Sequence, residues 1–112
     1  MTLKVAHYLN QFFAGIGGED KADAPFEVRQ GAVGPGRALQ IAFGDRATIT
    51  TTLVCGDNAF HADPEANTDA VVAAVAAAAP DLFIARPAFN ARRYGLACAA
   101  VRAAVKERLG IP

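Results

Sequence analysis

A strand, a capped helix and a second strand follow one another between residues 47 and 86, and this succession limits the fold more than any other feature. Ala47–Cys55 reads ATITTTLVC, and such a β-branched run favours a strand. Asp63-Pro64-Glu65 is typical of a helix start, and Pro80 ends that helix. Asp81–Arg86 (DLFIAR) predicts a short buried strand. A helix between two strands indicates a parallel pair joined by a crossover.

The rest of the chain extends this alternation. Leu3–Leu9 predicts a first strand, and Arg37–Phe43 is compatible with a short helix or a strand. A final helix is predicted because apolar side chains recur at helical spacing before Gly110, a suitable C-cap: Tyr94, Cys98, Val101, Val105 and Leu109. We therefore predict one α/β domain over residues 1–112, with three layers, a small parallel sheet of about three to four strands and crossover helices, Rossmann-like or flavodoxin-like.

Residues 10–36 form a long segment rich in glycine and proline. This density of breakers predicts a loop without a regular element of any length. The segment also carries large apolar side chains, among them Phe12, Phe13 and Phe26, which a disordered linker would not need. We expect an ordered loop that packs on the rest of the domain.

Charge and hydropathy exclude several classes of protein. Eleven Lys plus Arg balance eleven Asp plus Glu, so no basic face for nucleic acid is expected. The longest apolar stretch, Ala70–Ala79, is shorter than the ~18 residues of a membrane span. The N-terminus lacks the apolar core of a signal peptide, and the two cysteines are too few for a disulfide framework. These features predict a cytoplasmic protein.

Polar residues follow each predicted strand, and they are the candidate site. In open α/β sheets, ligands bind beyond the carboxyl ends of the strands, so these clusters should converge on one edge. Their amide, carboxylate and guanidinium groups suit a small polar ligand with a carboxylate or phosphate, although they could equally serve turns and helix caps. The candidate members are Gln11, Asp57, Asn58, Asn90 and Arg93, with Asn10 beside them.

Cys55 is a weak catalytic candidate. Because Gly56 follows it in a turn, we expect it to be the more exposed of the two thiols, open to activation by an arginine, with an inert buried role as the alternative. His7 is expected in the core or at its rim, and His61 at the surface. No metal site is expected, because the spacing of zinc ligands is missing. Glu19 belongs to a charged patch that is either solvated or in contact with a partner.

Four unusual segments carry a family resemblance. They are HYLNQFFAGIGGEDKAD (7–23), GPG with ALQ (34–40), VCGDN (54–58) and PAFNARRYG followed by AC (87–98). Together they resemble the N-terminal part of component B of the glycine/sarcosine/betaine reductases, the selenoprotein B family. The closing KERLGIP is similar to the approach to the next strand in that family. The resemblance thus predicts the N-terminal fragment of a longer two-domain subunit.

The resemblance implies an anaerobic, cytoplasmic, multi-subunit oxidoreductase. Its reaction is the thioredoxin-linked reductive cleavage of the C–N bond of a small amino acid or amine. In the family, a partner subunit holds the amine through a pyruvoyl group, and the selenocysteine of component B attacks the α-carbon. The carboxymethyl selenoether then passes to a carrier selenoprotein. The nucleophile, selenocysteine or cysteine, lies outside this chain, so neither a catalytic residue nor a cofactor is expected here; a homo-oligomer is compatible with the sequence.

Arg93 is the residue we expect to pair with a substrate carboxylate, oriented by Asn58 and Asn90. Arg86 and Arg92 stand where the family usually has glycine, so either the ligand differs or the backbone there does not need a positive φ. The alternative from another class is a non-catalytic α/β module. It would bind a polar carboxylate metabolite or a partner subunit, using Glu19–Lys21 and the Phe12-Phe13 pair.

Overall fold

A computed structural model describes residues 2–86 and 92–112. Within these residues the strands are β1 (Leu3–Leu9), β2 (Glu27–Gln30), β3 (Ala47–Val54) and β4 (Leu82–Ala85). The helices are α1 (Gly36–Phe43), α2 (Asp57–Ala62), α3 (Pro64–Ala78) and α4 (Arg92–Leu109), with one 3-10 turn at Glu19–Lys21. None of these helices is both long enough and apolar enough to cross a membrane.

The strands form one mixed sheet in the order β2-β3-β1-β4. The central strand β1 pairs in parallel with β3 and β4, as the succession of strands and helices predicts. The predicted α/β class and strand number are thus confirmed, but the sheet is mixed and not wholly parallel, because β2 pairs with β3 in the antiparallel direction.

Helices cover both faces of the sheet and make three layers. On one face, Leu39 and Phe43 of α1 pack against a small cluster of Val5, Ala47 and Ile49. On the other face, α3 and α4 bury the larger core, which is built on Ala6, Tyr8, Leu53, Phe83, Val71, Val75, Tyr94, Val101 and Val105. The carboxyl ends of β1 and β3 lie side by side in the middle layer, because Leu9 pairs with Val54.

The predicted helix ends are confirmed. The Asp63 side chain caps α3 by accepting a 3.1 Å hydrogen bond from the Ala66 N–H. Ala79 follows α3 in the left-handed region (φ 49°), and Pro80 prevents continuation. Gly110 lies directly after α4 with φ 69°, the conformation that favours glycine at this position.

The structure revises two local predictions and resolves a third that was open. Residues 10–36 contain β2, whose sequence EVRQ shows no apolar run and becomes a strand only through pairing with β3. The turn expected after Cys55 continues into α2, a helix of six residues that is too short for a periodic pattern. The segment open to either element, Arg37–Phe43, is the helix α1, which begins at Gly36.

Candidate functional site

The candidate site lies where β1 and β3 end side by side. Parallel pairing puts Leu9 opposite Val54, and the Cys55 N–H donates to the Leu9 carbonyl at 3.2 Å. Asn10 and Asp57, which follow these two strands, therefore emerge at the same edge of the sheet. The two residues are 47 positions apart in sequence, and the pairing of β1 with β3 brings them into contact.

Asn10, Gln11 and Asp57 form a buried polar network. Their exposed fractions are 3%, 3% and 7%. The Asn10 Nδ2 donates to Asp57 Oδ2 at 3.0 Å, and the Asp57 N–H donates to Gln11 Oε1 at 2.9 Å. Asn10 Oδ1 also accepts the Phe13 N–H at 3.0 Å, so the network sets the start of the long loop. Buried polar groups satisfied in this way hold a single geometry.

The loop between the 3-10 turn and β2 closes over the start of α2. The Gly56 N–H donates to Ala24 O, and the Asn58 N–H donates to Ala22 O, both at 2.9 Å. A Cβ at Gly56 would lie 2.3 Å from the Ala22 oxygen. The close backbone approach thus requires glycine there and presents Asp57 and Asn58 to the site.

Arg93, in the first turn of α4, joins three segments. Its guanidinium donates to Asn58 Oδ1 and to both carboxylate oxygens of Glu19, with Nη2 to Oε2 at 2.6 Å. The hydrogen bonds to Glu19 raise the pKa of Arg93, so it remains a cation. The Glu19 side chain is 67% exposed, whereas that of Arg93 is 35% exposed. The ion pair therefore lies at the surface of the site.

A cavity of about 340 Å³ lies between this ion pair and the buried network. Asp57 and Arg93 line it together with the aromatic rings of Phe12 and Phe13, whose centroids are 5.3 Å apart. Phe12 is 62% exposed, while Phe13 packs toward Tyr94 with centroids 5.6 Å apart. The remaining lining comes from Asn10, Gln11, Gly18 and Glu19. The cavity thus combines a carboxyl, a guanidinium and aromatic faces.

Burial raises the pKa of the Asp57 carboxyl. The Asn10 hydrogen bond and the positive charge of Arg93 oppose this shift, and the negative charge of Glu19 adds to it. A carboxyl with these surroundings can accept a hydrogen bond from a ligand or exchange a proton with it. A cation entering the cavity would stabilise its ionised form.

Comparison with known proteins identifies the family. The description "Glycine/sarcosine/betaine reductase selenoprotein B (GRDB)" matches residues 2–112. The chain belongs to this selenoprotein B family. It is 51% identical over 110 residues to the sarcosine reductase complex component B subunit beta of Peptoclostridium acidaminophilum, a match that covers 98% of this chain and 25% of the relative. The predicted resemblance is confirmed.

Other relatives bear the names of the sister reductases. The glycine reductase complex component B subunit gamma of Symbiobacterium thermophilum is 51% identical over 98% of this chain and 26% of its own length. The betaine reductase complex component B subunit beta of Peptoclostridium acidaminophilum is 38% identical over 97% of this chain and 25% of its own length. This chain therefore spans about a quarter of the length of these three relatives. No solved structure matches it.

Cys55 does not face the site, so the expectation that it is the more exposed thiol is wrong. Its exposed fraction is 0%, and that of Cys98 is 1%. The Cys55 side chain points back into the core toward Asn67 Oδ1, 3.7 Å from its sulfur. Burial first, and then the charge of Asp57, raises the pKa of the Cys55 thiol to about 11. This chain therefore offers no activated thiol at the cavity.

The histidines lie where the sequence predicts them. His7 is buried in β1, where its Nε2 lies 2.6 Å from the Arg86 carbonyl oxygen, and burial lowers its pKa. His61 is exposed. Within residues 2–86 and 92–112, no group of three His, Cys, Asp or Glu side chains is placed to hold a metal ion.

The structure brings together the binding candidates that it describes. Gln11, Glu19, Asp57 and Arg93 line the cavity, and Asn58 accepts a hydrogen bond from Arg93 beside it. Asn90 lies outside the described residues. Sequence reasoning named Asn10 but missed its importance as the hydrogen-bond partner of Asp57. The available signal was its position next to Gln11 at the end of β1.

Proposed function

We propose that this chain supplies substrate-binding surface to a glycine/sarcosine/betaine reductase complex. Its reaction would be the thioredoxin-linked reductive cleavage of the C–N bond of a small amino acid or amine in the cytoplasm. The observation that carries the proposal is the Arg93–Glu19 ion pair at the mouth of the cavity. A pyruvoyl-bearing subunit and a carrier selenoprotein would be the partners, and the nucleophile would come from outside these residues.

Glu19 occupies the position that a substrate carboxylate would take. Both of its carboxylate oxygens accept from Nη2 of Arg93, so Glu19 and the guanidinium form a charge-assisted pair. Because the Glu19 side chain is mostly exposed, its exchange for another carboxylate costs little. Asn58, which already contacts the guanidinium, would hold Arg93 in place during the exchange.

The inner end of the cavity suits the amine of the same ligand. The buried Asp57 carboxyl and the faces of Phe12 and Phe13 are groups that attract an ammonium ion. Glycine, sarcosine and betaine, which give the relatives their names, each carry one carboxylate and one cationic nitrogen. The charges of the cavity lining therefore match both ends of such a molecule.

The test removes two groups separately: the Glu19 carboxylate, which would compete with the substrate, and the Arg93 guanidinium, which would bind the substrate. Glu19→Gln should raise the affinity for betaine or glycine several-fold, because it frees Arg93, whereas Arg93→Ala should lower it about 10- to 100-fold. Asp20→Asn, in the same 3-10 turn, is the matched control and should leave binding unchanged. Isothermal titration calorimetry measures the dissociation constants. Equal affinities for the Glu19→Gln and Arg93→Ala variants would reject the proposal.

A second candidate function is a non-catalytic module that docks on a partner subunit. The observation that favours it is Phe12, a large apolar side chain left 62% exposed at the cavity that Glu19 also lines. In that case Phe12→Ala would weaken assembly with the partner, and small carboxylates would not bind at millimolar concentration. Native mass spectrometry of the mixed subunits, run beside the calorimetry, separates the two functions.

A further inference from the structure

The outer edge of β4 is already engaged in pairing. β4 is the last strand of the sheet order, with β1 on its inner side. On its outer side the Phe83 N–H donates to the Pro112 carbonyl at 2.8 Å. Residues that follow α4 therefore lie against the edge of β4 as a strand would.

The path of the chain indicates whether a strand at this edge would run parallel or antiparallel to β4. α3 carries the chain from β3 to β4, and α4 packs beside α3 on the same face of the sheet. α4 then returns the chain to the amino end of β4, as a right-handed crossover requires. A strand continuing from Pro112 would thus run parallel to β4, one position further out in the sheet.

A cavity beside the same edge offers room for side chains of such a strand. Its volume is about 460 Å³, and it lies between α4, Phe83 and the last two residues of the chain. Ala99 and Ala103 of α4 are exposed there, and Arg102 and Lys106 flank them. Small side chains on α4 leave the room that a neighbouring strand would fill.

The opposite face of β4 also lacks cover. Leu82 and Ile84 pack against the cluster under α1 but remain half-buried. A strand beside β4 would shield their outer sides as well. Both faces of the edge thus show apolar surface that one additional element would bury.

We infer that the outer edge of β4 takes a further parallel strand, in the register set by Phe83 and Pro112. Its source is the polypeptide that follows the matching segment in the longer family chains, because this chain spans about a quarter of their length. The inference rests on family membership and sheet geometry, and it is independent of the substrate proposed above.

The test extends the chain beyond Pro112 by about ten residues, the length of a strand and its turn. These residues are the ones that follow the matching segment in the sarcosine reductase subunit of Peptoclostridium acidaminophilum; a scrambled version serves as control. The natural extension should raise Tm by about 5 °C and slow hydrogen exchange of the Phe83 amide about tenfold. The scrambled extension should do neither.

Two substitutions on α4 locate the effect. In the extended chain, Ala103→Trp should cancel the gain in Tm, because Ala103 lines the cavity. Ala100→Trp, also exposed on α4 but outside the cavity lining, should preserve it. Equal Tm values for the natural and scrambled extensions would overturn the inference. So would a dimer of the unextended chain, seen by analytical ultracentrifugation, whose formation Ala103→Trp abolishes.

Discussion

Asp57 is the residue at which stability and binding oppose each other. It keeps a carboxyl group in a residue that is only 7% exposed, and that carboxyl accepts a hydrogen bond from Asn10. Burial raises its pKa, so ionising this carboxyl costs more in the folded chain than in water. Such a group lowers the stability of the ligand-free chain at neutral pH. A bound cationic ligand would stabilise its ionised form.

We expect Asp57→Asn to stabilise the chain at pH 7 by about 1 kcal/mol. A carboxyl whose folded pKa is raised contributes its stability below the unfolded value of 3.8 and loses it as pH rises through the folded value. The substituted amide would remain neutral and still accept the hydrogen bond from Asn10. Urea unfolding at pH 7 and pH 3.5 measures the difference, which should vanish at the lower pH.

Asp20→Asn is the control for this pH dependence, because Asp20 is exposed in the 3-10 turn. Its unfolding free energy should follow the parent chain at both pH values. A destabilised Asp57→Asn variant at pH 7 would show instead that the ionised carboxyl supports the fold.

At the scale of elements, the site depends on how closely the loop at 22–24 approaches α2. Two backbone hydrogen bonds, from Gly56 and Asn58, hold the loop against the start of the helix. Gly56 has an ordinary φ of −62°, so its requirement is steric and not conformational. The contact with the loop stabilises α2, because a helix this short is marginal on its own.

Substitution of two different glycines by alanine should change the unfolding free energy in opposite directions. Gly56→Ala places a Cβ 2.3 Å from Ala22 O and should cost about 2–3 kcal/mol of unfolding free energy. Gly95→Ala, within α4 and with nothing within 4 Å of its added Cβ, should stabilise by up to about 1 kcal/mol. Chemical denaturation of both variants checks the signs. Comparable losses in both would contradict the steric explanation.

At the scale of the whole molecule, one core joins the sheet to α3 and α4. The Cα radius of gyration is 12.9 Å, close to the roughly 13 Å of a folded chain of this size. Cys55 and Cys98 both lie in that core, and the Tyr94 hydroxyl donates to the Tyr8 carbonyl at 3.1 Å within it. Exposure of either thiol therefore requires opening of the core.

Both thiols should react only when the molecule unfolds. Burial raises the pKa of each to about 11, so both remain protonated thiols at pH 8. We expect reaction with a disulfide reagent to be at least about a thousandfold slower in native buffer than in denaturant. Ala100→Cys, on the exposed side of α4, supplies a fast-reacting internal control. A parent thiol that reacts as quickly as this control would show local opening.

Much of the architecture follows from sequence alone. The β-branched run at 47–55, the Asp63 cap, Pro80 and Gly110 act within a few residues, so their effects can be predicted without knowing distant partners. The handedness of crossovers then predicts parallel strands whose polar ends converge. The meeting of Gln11, Asp57 and Arg93 is a consequence of that rule.

The tertiary structure decided which partner each of these groups meets. β2 is a strand because it pairs with β3, and the Cys55 side chain is buried with its sulfur 3.7 Å from Asn67 Oδ1. Arg93 pairs with Glu19, which lies 74 positions earlier in the sequence. Sequence by itself determined the order of β1, β3, α3, β4 and α4 and the edge of the site, since those depend on local conformation and chirality. The choice of contacts across the long loop depends on packing energies that appear only when distant segments meet.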